Sequence, residues 1–142
     1  MMAGIKRILF LCTGNSARSQ MAEGLLNHLS RGEWKVQSAG IFPSYVHPLA
    51  IRVMEEIGID ISQQTSKSMN QFLNEAFDTI ITLCDEAAQS CPAFPSQGKR
   101  LHWAFEDPAV AIGTIEERSA VLRRVRDQIR TKIEELLNSE SH

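Results

Sequence analysis

The chain has 142 residues, 43% of them hydrophobic and 23% charged, with a formal net charge of −2. That is enough sequence for one domain with a real core and too little for two ordinary ones, and a charge so near zero gives no general reason to bind nucleic acid or an anionic membrane. No apolar run approaches the ~20 residues that cross a bilayer, and removing the N-terminus as a leader would remove the first strand, so the expectation is one cytoplasmic domain over 1–142, with no nucleic-acid or membrane partner and no call for more than a monomer.

Residues 5–11 form the first predicted strand, because Ile8, Leu9, Phe10 and Leu11 run without polar alternation. The stretch Cys12-Thr13-Gly14-Asn15-Ser16-Ala17-Arg18-Ser19 leads into a predicted helix over 18–30, with Ala22, Leu25, Leu26 and Leu29 on one face and Gly32 near its end. A second strand covers 34–38 and is stopped by Ala39-Gly40. A second helix over 47–57 places Ala50, Val53, Met54 and Ile57 at core spacing, with Gly58 as its terminal signal. Residues 59–77 read as turns with a short helix near 69–76. The strand at 78–83 delivers Cys84 at its end, 99–103 is a fourth strand, and 115–137 is the last helix, carrying Leu122, Val125, Ile129, Ile133 and Leu136 as its stripe. Strands alternating with helices imply an α/β fold, a four-stranded parallel sheet with helices on both faces and right-handed crossovers. Ligands in such sheets sit beyond the carboxyl ends of the strands. Cys12, Cys84 and Asp107 should therefore meet at one rim.

A thiol, five residues, then Arg18 and a hydroxyl, set between a strand and a helix, is a compact oxyanion cradle. Backbone N–H groups of Thr13, Gly14, Asn15, Ser16 and Ala17 can converge on one anion, the helix N-terminus adds a favourable dipole, and Arg18 offers a planar fork for two oxygens. Gly14 and Asn15 suit backbone angles closed to most residues. The same positive field favours a thiolate, moving a cysteine from about 8.5 towards roughly 3.5–7.5. Cys12 is thus read as a nucleophile aimed at a phosphate-like group. The plainer alternative, a buried strand-end cysteine beside a solvated arginine, does not account for the loop between them.

The three cysteines, Cys12, Cys84 and Cys91, are an odd number without a leader, which argues against a structural disulfide framework. The four histidines are scattered without ligand spacing and no CxxC pair exists, so no metal is expected. Cys84 and Cys91 bracket Asp85-Glu86-Ala87-Ala88-Gln89-Ser90, a helix-favouring segment with Asp85 as its cap. Seven helical residues would set their Cα atoms about 10 Å apart, beyond the roughly 7 Å a disulfide spans. Bonding them would unravel the helix, which makes oxidation a conformational switch; two inert core cysteines are the alternative. Asp107 before Pro108 is a turn dipeptide in most contexts, but at this rim its carboxyl could protonate a departing oxygen.

Residues 12–23 resemble the signature of low-molecular-weight tyrosine phosphatases and of the arsenate reductases built on that fold. Thr82-Leu83-Cys84 with Cys91-Pro92, His102-Trp103 through Asp107-Pro108-Ala109, and Ser38-Ala39-Gly40 are similar to the thioredoxin-coupled arsenate reductases in particular, and the likeness runs from about residue 6 to residue 137. The resemblance implies a relay of thiols. Cys12 attacks arsenate held by the loop and Arg18, Ser19 stabilises the thiolate, and Asp107 protonates the leaving oxygen. Cys84 then attacks Cys12 to release arsenite, Cys91 attacks Cys84, and thioredoxin reduces the Cys84–Cys91 disulfide, with no bound cofactor. Some relatives bind a monovalent cation through residues matching Asn15, Glu23 and Ser38 plus an acidic residue where Lys67 stands, so Lys67 is expected to replace the cation. The readings set against a thioredoxin-coupled reductase are a glutaredoxin-coupled reductase, a tyrosine phosphatase-like hydrolase that needs neither Cys84 nor Cys91, and a sensor that binds oxyanions without turnover.

Overall fold

The computed structural model describes residues 6–84 and 98–140; Cys91 and the helix expected between Cys84 and Cys91 lie outside the described residues. Strands β1 (Arg7–Cys12), β2 (Lys35–Gly40), β3 (Thr79–Thr82) and β4 (Lys99–His102) form one parallel sheet in the order β2-β1-β3-β4. The described α-helices are α1 (Arg18–Leu29), α2 (Pro48–Glu55) and α3 (Ile115–Glu140), with short 3₁₀ helices at Met69–Phe72 and Pro108–Val110.

The unbroken apolar run of β1 is buried on both sides. Ile8 and Phe10 join Met21, Leu25, Val53, Leu122 and Ile129 under the α-helices, whereas Leu9 and Leu11 join Ile80, Phe72 and Phe77 on the opposite face, beneath the 3₁₀ helix. Each of these four strand residues is at most 1% exposed, worth about 1.5–3 kcal/mol apiece in apolar burial. Gly24 sits inside α1 at a propensity cost of about 1 kcal/mol. A Cβ there would come within 2.5 Å of Ile61 Cγ2, so its bareness lets the segment after α2 lie on the helix.

Three elements differ from expectation for identifiable reasons. Strand β2 does not stop at Ala39-Gly40 but runs through it: Gly40 lies opposite Cys12 and its N–H donates to Lys67 O at 2.8 Å, so the glycine is held in the sheet from both sides. Helix α2 is shorter than 47–57, because His47 is its cap rather than its first turn, its Nδ1 accepting from Leu49 N at 3.1 Å, and Gly58 turns the chain at φ +78°. The helix expected near 69–76 contracts to one 3₁₀ turn, Met69–Phe72, capped by Ser68.

Candidate active site

Strand β1 ends at Cys12 and α1 begins at Arg18, so residues 13–17 form the connecting loop. The neighbouring segment 41–47 clamps its carbonyls. Ile41, Phe42, Ser44 and His47 donate their N–H groups to the carbonyls of Cys12, Thr13, Gly14 and Ser16 at 2.8–3.2 Å. With the carbonyls drawn outward, the N–H groups of Gly14, Asn15, Ser16 and Ala17 meet no protein acceptor among the described residues and remain for an anion. Asn15 takes the left-handed step at φ 47°. It is fully buried, and its Nδ2 donates to Ser19 Oγ (2.8 Å) and Ser38 Oγ (2.9 Å) while its Oδ1 accepts from Lys67 N (2.8 Å). Those bonds hold a conformation that a non-glycine residue otherwise resists. Gly14, expected to share that role, does not have a positive φ. The close approach is made instead by Gly40, where a Cβ would meet Thr13 O at 2.8 Å and Asn15 N at 2.9 Å.

The loop floors a cavity of about 340 Å³, lined on one side by Cys12, Thr13, Gly14, Ser16, Ala17 and Arg18 and on the other by Ser44, Tyr45, His47, Asp107, Ala109 and Arg118. Arg18 is 7% exposed. Its guanidinium donates to Phe105 O at 3.2 Å and stands 3.6 Å from Asp107 Oδ2, while Asp107 Oδ1 accepts from Ala109 N at 3.0 Å. The aspartate is therefore fixed at the mouth, facing the arginine. A larger hollow of about 430 Å³, between Leu29, Trp34 and Leu137, contains neither cysteine nor histidine. Among the described residues no group of three or more His, Cys, Asp or Glu side chains could hold a metal ion.

Parallel pairing of β1 with β3, with Leu11 opposite Thr82, brings Cys84 to the rim beside Cys12. Both thiols are free and buried, Thr13 Oγ1 lies 3.1 Å from Cys84 Sγ, and Cys84 is close enough to dominate the ionisation of Cys12. That contact reverses the sequence expectation about ionisation. The hydrogen bond with Cys84 is the largest influence on Cys12 and burial the next; together with the charge of Cys84 they push the thiol up, outweighing the pull of Arg18 and the Thr13 amide. Removing the neighbour removes the upward push. Cys84→Ala is expected to lower the apparent pKa of Cys12 and speed its alkylation by iodoacetamide at pH 7, followed by peptide mass mapping across a pH series. An alkylation profile identical to the parent's would contradict it.

Beneath the loop lies a polar cluster. Ser19 is buried with Oγ accepting from Asn15; Ser38 Oγ donates to Glu23 Oε1 at 2.5 Å; Lys67 Nζ lies 3.7 Å from the same oxygen and donates to Thr65 O at 3.0 Å. Burial raises the Glu23 carboxyl pKa, opposed by the Ser38 hydroxyl and the Lys67 charge. His47 is pushed down by burial and then by the charge of Arg118, with Asp107 pulling the other way. The sequence reading did not single out Gly40, Ser44, His47 or Arg118 as site residues. Only the dipeptide His47-Pro48, a cap followed by proline at N1, carried a local signal.

Residues 7–141 match the model of the low molecular weight phosphotyrosine protein phosphatase family. An arsenate reductase of Halalkalibacterium halodurans is 56% identical over 128 residues, covering 90% of this chain and 92% of that protein. Among solved structures, an arsenate reductase in the phosphate-binding state superposes with a TM-score of 0.81 at 38% identity, over 95% of this chain and 98% of the other. A thioredoxin-dependent arsenate reductase of Corynebacterium glutamicum gives a TM-score of 0.75 at 28% identity, over 98% of this chain and 63% of that one.

Proposed function

Since the chain belongs to the low molecular weight phosphotyrosine protein phosphatase family, we propose that it is an arsenate reductase of that fold, working as a cytoplasmic monomer with thioredoxin as electron donor and no bound cofactor. The observation that carries this reading is the second buried free thiol, Cys84, brought to the rim beside Cys12 by the pairing of β1 with β3 and lying 3.1 Å from Thr13 Oγ1. Phosphoester hydrolysis needs a nucleophile, a cradle and an acid, and has no use for it.

Arsenate lies in the loop with its oxygens on the N–H groups of residues 13–18 and the Arg18 fork, a field that also stabilises the Cys12 thiolate once it forms, assisted by the Ser19 hydroxyl. The thiolate attacks arsenic, Asp107 gives a proton to the departing oxygen, and water leaves behind a sulfur–arsenic bond. Cys84 then attacks the Cys12 sulfur. The sulfur–arsenic electron pair passes to arsenic, arsenite departs, and the two electrons come from two thiols that become the Cys12–Cys84 disulfide. Cys91, outside the described residues, attacks Cys84 and frees Cys12 for the next cycle. Thioredoxin reduces the resulting Cys84–Cys91 pair.

The test is arsenate-dependent NADPH oxidation by the purified protein. Thioredoxin with its reductase should sustain it and glutathione with glutaredoxin should not; no turnover with either system would overturn the reading, and turnover only with the second would transfer it to the other donor.

Lys67 stands in for a cation beneath the loop, its ammonium already facing the buried Glu23 carboxyl 3.7 Å away. Replacing sodium with potassium at constant ionic strength should leave kcat/KM for arsenate unchanged. Saturable stimulation by potassium would count against this substitution.

A further inference from the structure

Helix α3 carries six cationic side chains, and five of them are matched. Arg123 pairs with Glu56, Arg124 with Glu106, Arg126 with Glu56 and Asp127, Arg130 with Glu134, and Lys132 with Glu135. The sixth, Arg118, is half-buried yet has neither a carboxylate within ion-pair distance nor a side-chain hydrogen bond among the described residues. It lines the cavity above Cys12 instead. Leaving a partly desolvated guanidinium unmatched is costly unless a ligand supplies the counter-charge.

The cavity has room for such a ligand on that side. Its volume of about 340 Å³ would hold roughly ten waters at ~30 Å³ each, several times what one tetrahedral anion fills. Arg18, which reaches the anion from the loop side, is also engaged by Phe105 O and Asp107, whereas Arg118 keeps its whole guanidinium for an incoming anion among the described residues. His47 adds a donor of fixed orientation: its Nδ1 accepts from Leu49 N, so in the neutral ring the proton is on Nε2. Among the described residues Asp107 is the only acidic group lining the cavity.

We infer that Arg118, with His47 beside it, forms an outer wall of the oxyanion site, holding the anion on the side turned away from the loop and setting the affinity for small inorganic tetrahedral oxyanions. The inference rests on the oxyanion reading of the Cys12 loop, but not on the relay of thiols or on the electron donor.

Titration calorimetry with inorganic phosphate at fixed ionic strength tests it without requiring turnover. Arg118→Ala should weaken phosphate binding about ten-fold or more, Arg118→Lys should recover part of the loss, and Arg124→Ala, an α3 arginine outside the cavity, should bind as the parent does. In arsenate turnover the same loss should fall on KM rather than on kcat. Equal phosphate affinity in Arg118→Ala and Arg124→Ala would overturn the inference while leaving the loop reading intact. A parent protein that binds no phosphate would remove the cradle itself, and this wall with it.

Discussion

Replacing Cys84 with serine is expected to abolish sustained arsenate reduction, by roughly a thousand-fold or more, the scale on which loss of a covalent nucleophile is felt. A hydroxyl cannot form a disulfide with Cys12, so each molecule would take up arsenate once and stall. The fold should survive, because the serine oxygen can still hydrogen-bond with Thr13 Oγ1, which now lies 3.1 Å from the sulfur. Hydrolysis of p-nitrophenyl phosphate, which calls on Cys12, Arg18 and Asp107 alone, should remain slow but within a few-fold of the parent. Undiminished NADPH oxidation with arsenate and thioredoxin would refute the relay; parallel loss of both activities would point to a distorted cradle instead.

The second large effect is expected at a residue that touches no substrate. Alanine at Gly40 places a methyl 2.8 Å from Thr13 O, 2.9 Å from Asn15 N and 3.1 Å from Asn15 Cβ. None of these can step aside: Thr13 O accepts from Phe42 N, and Asn15 is held by Ser19, Ser38 and Lys67. Overpacking of this kind costs about 1–3 kcal/mol of stability, readable as a shifted urea midpoint. A loop displaced by about 1 Å should lose about a hundred-fold in kcat/KM. Gly14→Ala makes a useful contrast for stability, since its methyl would meet Ser44 Oγ at an ordinary 3.5 Å and Gly14 has no positive φ. Equal behaviour of the two variants in denaturation would refute the close-approach account.

The features legible in the sequence are those governed by periodicity and topology. The unbroken run of β1, the helix after the Cys12 loop, and the rule that parallel strands deliver ligands at their carboxyl ends together placed Cys12, Cys84 and Asp107 at one rim, where they are found. What was hidden depends on contacts between distant segments. The role of Gly40 arises because β2 runs on beside the loop, and no local pattern announces that. Arg118 carries no signal of its own among the charges of α3; only the pairing of the five other cations makes it distinct. The ionisation of Cys12 was misread for the same reason: the loop and Arg18 alone point to a lowered pKa, whereas Cys84, which a register 71 residues away sets beside Thr13, and burial push it up.

The adjacency of β1 and β3 has a kinetic meaning of its own. Two thiols anchored on neighbouring strands of one sheet react as parts of a single body, and well-oriented intramolecular partners reach effective molarities on the order of 10⁵ M or higher. In the proposed relay a soluble thiol diffusing to the mouth would have no such advantage against Cys84 for the arsenic-bearing sulfur. The sheet would thereby shield the half-finished product from capture by whatever small thiols surround the protein.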